Sequence, residues 1–166
     1  VLECLDRIVE KVIDEATDSL AFDTETTGFN GSVIQLGYVR INSDGQEIDS
    51  SCRYLKLIPG EAIHPKAKEV HNITETILEV KGEDPVVVIN DFARVASATV
   101  ARGGRIVAHN AKFDCARLAY TAELLNITPP VLEEHTFCTC ANGYMHAEFF
   151  TSNGRRKRPR NDELYN

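Results

Sequence analysis

Apolar positions recur along the chain in two periods, and the changes of period mark out its elements. Leu5, Ile8, Val9, Val12 and Ile13 fall at helical spacing and predict an amphipathic first helix. Leu20-Ala21-Phe22-Asp23 is a short apolar run that predicts a buried strand, and a Gly-Phe-Asn-Gly turn follows at 28–31. Residues 33–41, rich in Val, Ile and Tyr, predict a second strand, and residues 50–58 a third. Between them Asn42-Ser43-Asp44-Gly45 reads as a turn, because Asp-Gly tolerates positive φ. The three strands form an expected antiparallel meander. Pro59-Gly60 ends it, and residues 65–70 suit a short helix. Thr74 with Glu75 offers an N-cap and an acidic first turn. Pro85 suits the first position of a longer helix reaching Ala101, which Gly103-Gly104 stops. Arg105-Ile106-Val107-Ala108 reads as another buried strand. A helix over 113–125 follows, with Leu118, Ala122 and Leu125 on one stripe. The order predicts α/β layers around a mixed sheet with helices on both faces. From Asn142 onward the chain is polar and shows no clear periodicity, although Asp162-Glu163-Leu164-Tyr165 suits a helix start.

The 166 residues suit one domain, and an apolar fraction of 43% is enough for a buried core. No run of about 18 apolar residues occurs, so no membrane span is expected. The opening Val-Leu-Glu-Cys-Leu-Asp-Arg lacks the order of a secretory signal. It also lacks an initiator Met, so an earlier targeting segment stays open. Five cysteines, an odd number, favour reduced thiols over a disulfide framework and point to an intracellular site, cytoplasm or nucleus. The net charge of −7 runs against a broad basic surface for nucleic acid. It leaves room for a site whose acidic groups hold divalent cations that meet a phosphate.

Two blocks carry candidate chemistry. Asp23 and Glu25 flank Thr24 at the end of an apolar strand, so both carboxylates point to one face. Alone, such a pair reads as solvated turn acids, since charged residues are mostly exposed. Its place at a strand's carboxyl end, before Thr26-Thr27-Gly28, is where α/β sheets bind ligands. The second block, His109-Asn110-Ala111-Lys112-Phe113-Asp114, leaves a strand and begins a helix. Alone, Asp114 reads as charge complementing a helix N-terminus, and His109 and Asn110 as turn residues.

Together, Asp23-Thr24-Glu25-Thr26-Thr27-Gly28 and His109-Asn110-Ala111-Lys112-Phe113-Asp114 resemble the first two motifs of the DEDD (DnaQ-like) 3′–5′ exonucleases. The likeness is to the DEDDh branch with polymerase III epsilon-type proofreading domains. Ile34-Gln35-Leu36-Gly37 resembles that family's second strand. Val70-His71-Asn72-Ile73-Thr74 resembles its Val-His-Gly-Ile-Thr segment, with Asn72 where Gly is common. The resemblance spans about 20–125 and implies an RNase H-like fold. It implies that Asp23, Glu25 and Asp114 are three of four carboxylates binding two Mg²⁺ or Mn²⁺ ions. One ion would activate water and the other would stabilise the departing 3′ oxygen, releasing nucleoside 5′-monophosphates. Thr26, Thr27, Gly28, His109, Asn110 and Phe113 become candidates to hold the terminal nucleotide, with Phe113 open to a core role instead.

The last family motif is missing. No His-x-x-x-x-Asp follows Asp114: His135 meets Cys140 at the fifth place, and His146 meets Thr151. Tyr144 meets Glu148 where the sister branch has Asp, and its surroundings do not read as helical. The segment at 158–165 resembles the start of the helix before that motif, so the fourth Asp and its His are expected shortly beyond Asn166, within one exonuclease domain. His135, Cys138 and Cys140 lack the paired spacing of zinc sites, and residues 136–139 read as a strand. The basic run from Arg155 to Arg160 reads as a solvated loop, a localisation signal, or a contact for substrate phosphates.

The expected function is a metal-dependent 3′–5′ exonuclease on single-stranded DNA ends, with proofreading beside a DNA polymerase as one use. An RNA exonuclease remains open, since the motifs do not read a 2′-hydroxyl. So does a catalytically degenerate module that binds nucleic acid or docks on a polymerase.

Overall fold

The computed structural model describes residues 18–130, 132–146, 149–160 and 163. The helix expected around Leu5 to Ile13 lies outside them. Five strands form one sheet: β1 (Ser19–Thr26), β2 (Val33–Ile41), β3 (Glu47–Tyr54), β4 (Arg105–Ala108) and β5 (Thr136–Cys138). Their order is β3-β2-β1-β4-β5. The first three pair antiparallel, as the meander required, while β4 joins β1 and β5 joins β4 in parallel. The sheet is therefore mixed, and the parallel strands bring their carboxyl ends to one edge.

The third strand starts and ends earlier than its hydropathy suggests. The Asn42–Gly45 turn, with Gly45 at φ 77°, sets the pairing of Ile41 with Glu47 before any apolar alternation begins. Asn42 Oδ1 accepts from the Asp44 and Gln46 N–H groups and fixes that turn. At the other end Leu55 leaves the ladder for an isolated bridge with Glu83, where its side chain is fully buried.

The helices are α1 (Pro65–His71), α2 (Glu75–Lys81), α3 (Pro85–Ala101), α4 (Ala111–Leu124) and α5 (Thr139–His146). Pro85 opens α3 as expected, and the Asp84 side chain caps it by accepting from the Val86 N–H at 2.9 Å. Thr74 caps α2 in the same way. Asn72 ends α1 at φ 58°, a left-handed position that accounts for an Asn where related segments carry Gly. Helix α4 begins two residues before the apolar stripe does, because Asn110 at φ 59° turns the chain directly out of β4. The region around Tyr144, expected to be non-helical, is the helix α5. Its eight residues are too few for a clear 3.6-residue period. A small hairpin of β6 (Phe149–Phe150) and β7 (Arg156–Lys157) then occupies part of the stretch without periodicity. Its strands are two residues each, below what alternation can reveal.

One face of the sheet presents Leu20, Phe22, Ile106 and Ala108 to Val88, Ile89, Phe92 and Ala96 of α3 and to Cys115 and Leu118 of α4. The Phe22 and Phe92 rings pack 5.1 Å apart. Thr121 ties α4 down, accepting from the Val33 N–H at 2.9 Å. On the opposite face Ala21, Val39 and Val107 are also fully buried, so the sheet is covered on both sides. A smaller cluster of Ile34, Ile63, Ile73 and Leu78 seats α2 and the segments flanking α1 beside the meander.

Candidate active site

The alternation of β1 sorts its last residues. Leu20, Phe22 and Thr24 face α4, while Ala21, Asp23 and Glu25 face the other way. Across the ladder Asp23 stands opposite Gly37, which puts no side chain beside it. Asp114, in the first turn of α4, is 2% exposed. Its Oδ1 accepts from the Thr24 hydroxyl at 2.6 Å and from the Thr24 N–H at 3.1 Å. Thr24 therefore joins the two sequence blocks, 90 residues apart, into one site.

All three carboxyls are harder to ionise than usual. Burial pushes Asp23 up to about 6, against a hydrogen bond from the Thr24 backbone. Burial and then the Asp23 charge push Glu25 up to about 7. Burial and then the Asp23 charge push Asp114 up to about 7, against its bonds to Thr24. The Asp23 charge thus raises both Glu25 and Asp114, and among the described residues none of the three belongs to a salt bridge. Buried carboxylates without a partner need a counter-ion or a proton. The donor set fits a hard divalent cation such as Mg²⁺ or Mn²⁺, since it offers only carboxylate oxygens. As they stand, no three acidic, His or Cys side chains among the described residues are gathered closely enough to hold an ion.

Beside Glu25 lies a groove of about 500 Å³, walled by Thr26, Gly28, Phe29, Val70, His71 and Phe113. The Phe29 and Phe113 rings stand 5.7 Å apart. Phe29 is 81% exposed and Val70 79%, an unusual display of apolar surface at one spot. Lys66 and His64 rim it. Neither Phe29, Val70, His71 nor Lys66 was singled out as a site residue from sequence. Phe29 sits inside the turn glycines, and the helix α1 that brings the others has no buried stripe.

The loop carrying Phe29 is held by Glu61. Its Oε2 accepts from the Thr27 hydroxyl at 2.9 Å, the Ser32 hydroxyl at 3.0 Å and the Ser32 N–H at 3.1 Å. Burial opposes the Glu61 charge, but these bonds and one from Tyr120 outweigh it and hold its carboxyl below the usual range. A Cβ at Gly31 would come within 1.9 Å of the Thr27 hydroxyl oxygen, so only glycine fits this turn.

The residues expected to hold a nucleotide separate accordingly. Thr26, Gly28 and Phe113 line the groove, although the Thr26 hydroxyl donates to the Gly28 carbonyl. Thr27 is buried with its hydroxyl spent on Glu61. Asn110 is exposed, and its side chain makes no capping bond. His109 is engaged on two sides. Its Nδ1 lies 3.0 Å from the Thr139 hydroxyl, and the Pro159 backbone bonds the ring. Burial nonetheless keeps its pKa below the usual histidine value. A family model described as an exonuclease, RNase T, matches residues 20–159. The chain belongs to the DnaQ-like DEDD exonucleases.

This nuclease is similar to the DNA polymerase III epsilon subunit of Treponema pallidum, at 36% identity over 98 residues, 57% of this chain and 41% of the relative. It is similar to the Escherichia coli epsilon subunit at 31% identity over 132 residues, 74% of this chain and 49% of the relative. The chain spans about half the length of the curated relatives it matches. Its fold matches Escherichia coli exonuclease I in complex with a dA16 oligonucleotide, with a TM-score of 0.68 at 19% identity, over 89% of this chain and 35% of that one. A moderately thermophilic exonuclease I from Methylocaldum szegediense matches at a TM-score of 0.70 and 14% identity, over 85% of this chain and 33% of that one. The RNase H-like fold expected from the motifs is the one found. Among the described residues no helix is long and apolar enough to cross a membrane.

Proposed function

We propose that this exonuclease removes nucleotides one at a time from the 3′ end of a single DNA strand, with two Mg²⁺ or Mn²⁺ ions held in part by Asp23, Glu25 and Asp114. The observation that carries the reading is the Thr24–Asp114 contact, which brings the acidic block of β1 to the acid that begins α4. When bound, the ions supply Lewis acidity and a water of lowered pKa. The protein's own part is to present carboxylates in a partly desolvated site, where their affinity for a cation is high. Glu25 stands at the boundary between this acidic group and the groove, so a terminal nucleotide in the groove meets the acids at its phosphate. Phe29 and Phe113 offer ring faces to its base. Thr26 and Gly28 border the position of its sugar and phosphate, and Lys66 adds a positive charge at the rim.

The fourth carboxylate and the general base belong to the same reading, in a segment following the 158–165 stretch that resembles the approach to the last family motif. Support for DNA as substrate comes from the relatives, which are replication polymerase subunits and an exonuclease bound to a deoxyoligonucleotide. Action beside a polymerase rests on the epsilon likeness alone. The test is release of mononucleotides from a 3′-labelled oligonucleotide by the full-length protein, with Mn²⁺ and then with EDTA, against Asp23→Ala. Metal-dependent release that the substitution abolishes supports the reading. A wild-type protein that binds the strand without cleaving it favours a degenerate binding module.

A further inference from the structure

The chain is acidic overall, at −7, yet five of its positive side chains fall within six residues, Arg155, Arg156, Lys157, Arg158 and Arg160. They lie on and after the hairpin of β6 and β7. That hairpin is a formed turn rather than a loose tail. The Thr151 N–H donates to the Arg155 carbonyl at 2.8 Å, the Gly154 N–H donates to the Thr151 carbonyl at 2.9 Å, and Gly154 takes φ 77°. Phe150 pairs across the hairpin with Arg156 and is 52% exposed. An aromatic ring and a cation therefore share one side of the ribbon.

The segment leaving the hairpin is fastened to the active-site edge. Pro159 is buried, the Cys140 thiol donates to its carbonyl at 3.8 Å, and its backbone bonds the His109 ring. On its other side the ring meets the Thr139 hydroxyl, 3.0 Å from Nδ1. His109 follows β4 and Thr139 follows β5, so this clip sits at the carboxyl ends of the parallel strands. Asp23 and Glu25 emerge on the same edge.

We infer that the hairpin is an arm that grips the phosphodiester strand behind its 3′ end, with Arg155 and Arg158 on phosphates and Phe150 under a base. This rests on the nuclease reading for the identity of the strand. Arg155 and Arg158 are exposed, and among the described residues no salt bridge includes either. Cations free of carboxylate partners in an acidic protein are positioned for an anionic ligand. The contacts are to phosphate and ring faces, so the arm grips without reading sequence.

The test is the affinity of the full-length protein for a 5′-labelled oligo(dT) of about 16 nucleotides. It is read by fluorescence anisotropy in EDTA across about 0.05–0.2 M salt. Substituting Arg155→Gln with Arg158→Gln should weaken binding roughly 25-fold at about 0.1 M salt and flatten the log–log salt slope by about 1.4, for two phosphate contacts. Phe150→Ala should weaken binding without changing the slope. Arg94→Gln with Arg102→Gln, a pair on α3 and its end, should bind as wild type. An arm variant with wild-type affinity and slope, or a control pair that loses as much, overturns the arm. Mononucleotide release in Mn²⁺ is scored on the same strand. Release with an unchanged slope overturns the arm alone, and a flattened slope without release overturns the nuclease reading alone.

Discussion

Replacing Asp114 by Asn should stabilise the metal-free protein at pH 8 while removing a metal ligand. The carboxyl is 2% exposed and titrates at about 7 in the fold. In the unfolded chain it titrates at about 3.9. The unfolded state therefore gives up its proton first, and folding stability falls as pH rises between those values. Above pH 7 the ionised group costs the fold about 4 kcal/mol. The amide is nearly isosteric and still accepts from Thr24, though less strongly than a carboxylate, which takes back roughly 1–2 kcal/mol. The net gain is about 2–3 kcal/mol, or roughly 4–12 °C in the melting temperature of a chain this size. At pH 5 the folded carboxyl keeps its proton, the gross cost falls to roughly 1–2 kcal/mol, and the two proteins should melt together. Thermal unfolding in EDTA at pH 5 and pH 8 checks both statements. Equal melting at pH 8, or a gap that widens toward pH 5, would refute the claim that Asp114 is a destabilised buried acid.

Three further outcomes follow from the same geometry. Mn²⁺ affinity should rise steeply between pH 6 and pH 8, because Glu25 and Asp114, both near 7, hold protons that compete with the ion below that range; a calorimetric titration at several pH values measures it. Phe29→Ala should raise KM for a single strand roughly 5- to 100-fold, the worth of one stacked base, and leave the melting temperature unchanged because the ring is 81% exposed. Glu61→Ala should cost about 2–3 kcal/mol by leaving the Thr27 and Ser32 donors unpaired, with Glu61→Gln recovering much of it in a denaturant melt.

The sheet was legible because β1, β2 and β4 are apolar runs bounded by turn residues whose chemistry forces the chain to reverse, as at Asp44-Gly45. The long helices were legible through Pro85 and Gly103-Gly104 at the ends of α3 and through the Leu118, Ala122 and Leu125 stripe of α4. The candidate acidic site was suggested by Asp23 and Glu25 two apart on a strand and by Asp114 in a second motif. What joins them was not: Thr24 reads as an ordinary strand residue until its hydroxyl is found on Asp114. The groove was equally hidden, since Phe29 and Val70 are apolar residues left on the surface, contrary to the pattern that reveals a core. Glu61 was invisible for a related reason. A lone acid between Pro59-Gly60 and Pro65 looks solvated, and only the fold turns it toward Thr27 and Ser32. His109 was read as a contact for substrate, whereas the fold spends its ring on Thr139 and Pro159, partners 30 and 50 residues away that no local pattern announces.

The central claim is that the acids of β1 and α4 form one divalent-cation site. Its most direct test is a Mn²⁺ binding isotherm on the full-length protein at pH 8, for wild type and Asp23→Asn. The account predicts saturable uptake approaching two ions per chain in the wild type and loss of that uptake in the variant. Equal Mn²⁺ binding by the two proteins would contradict it.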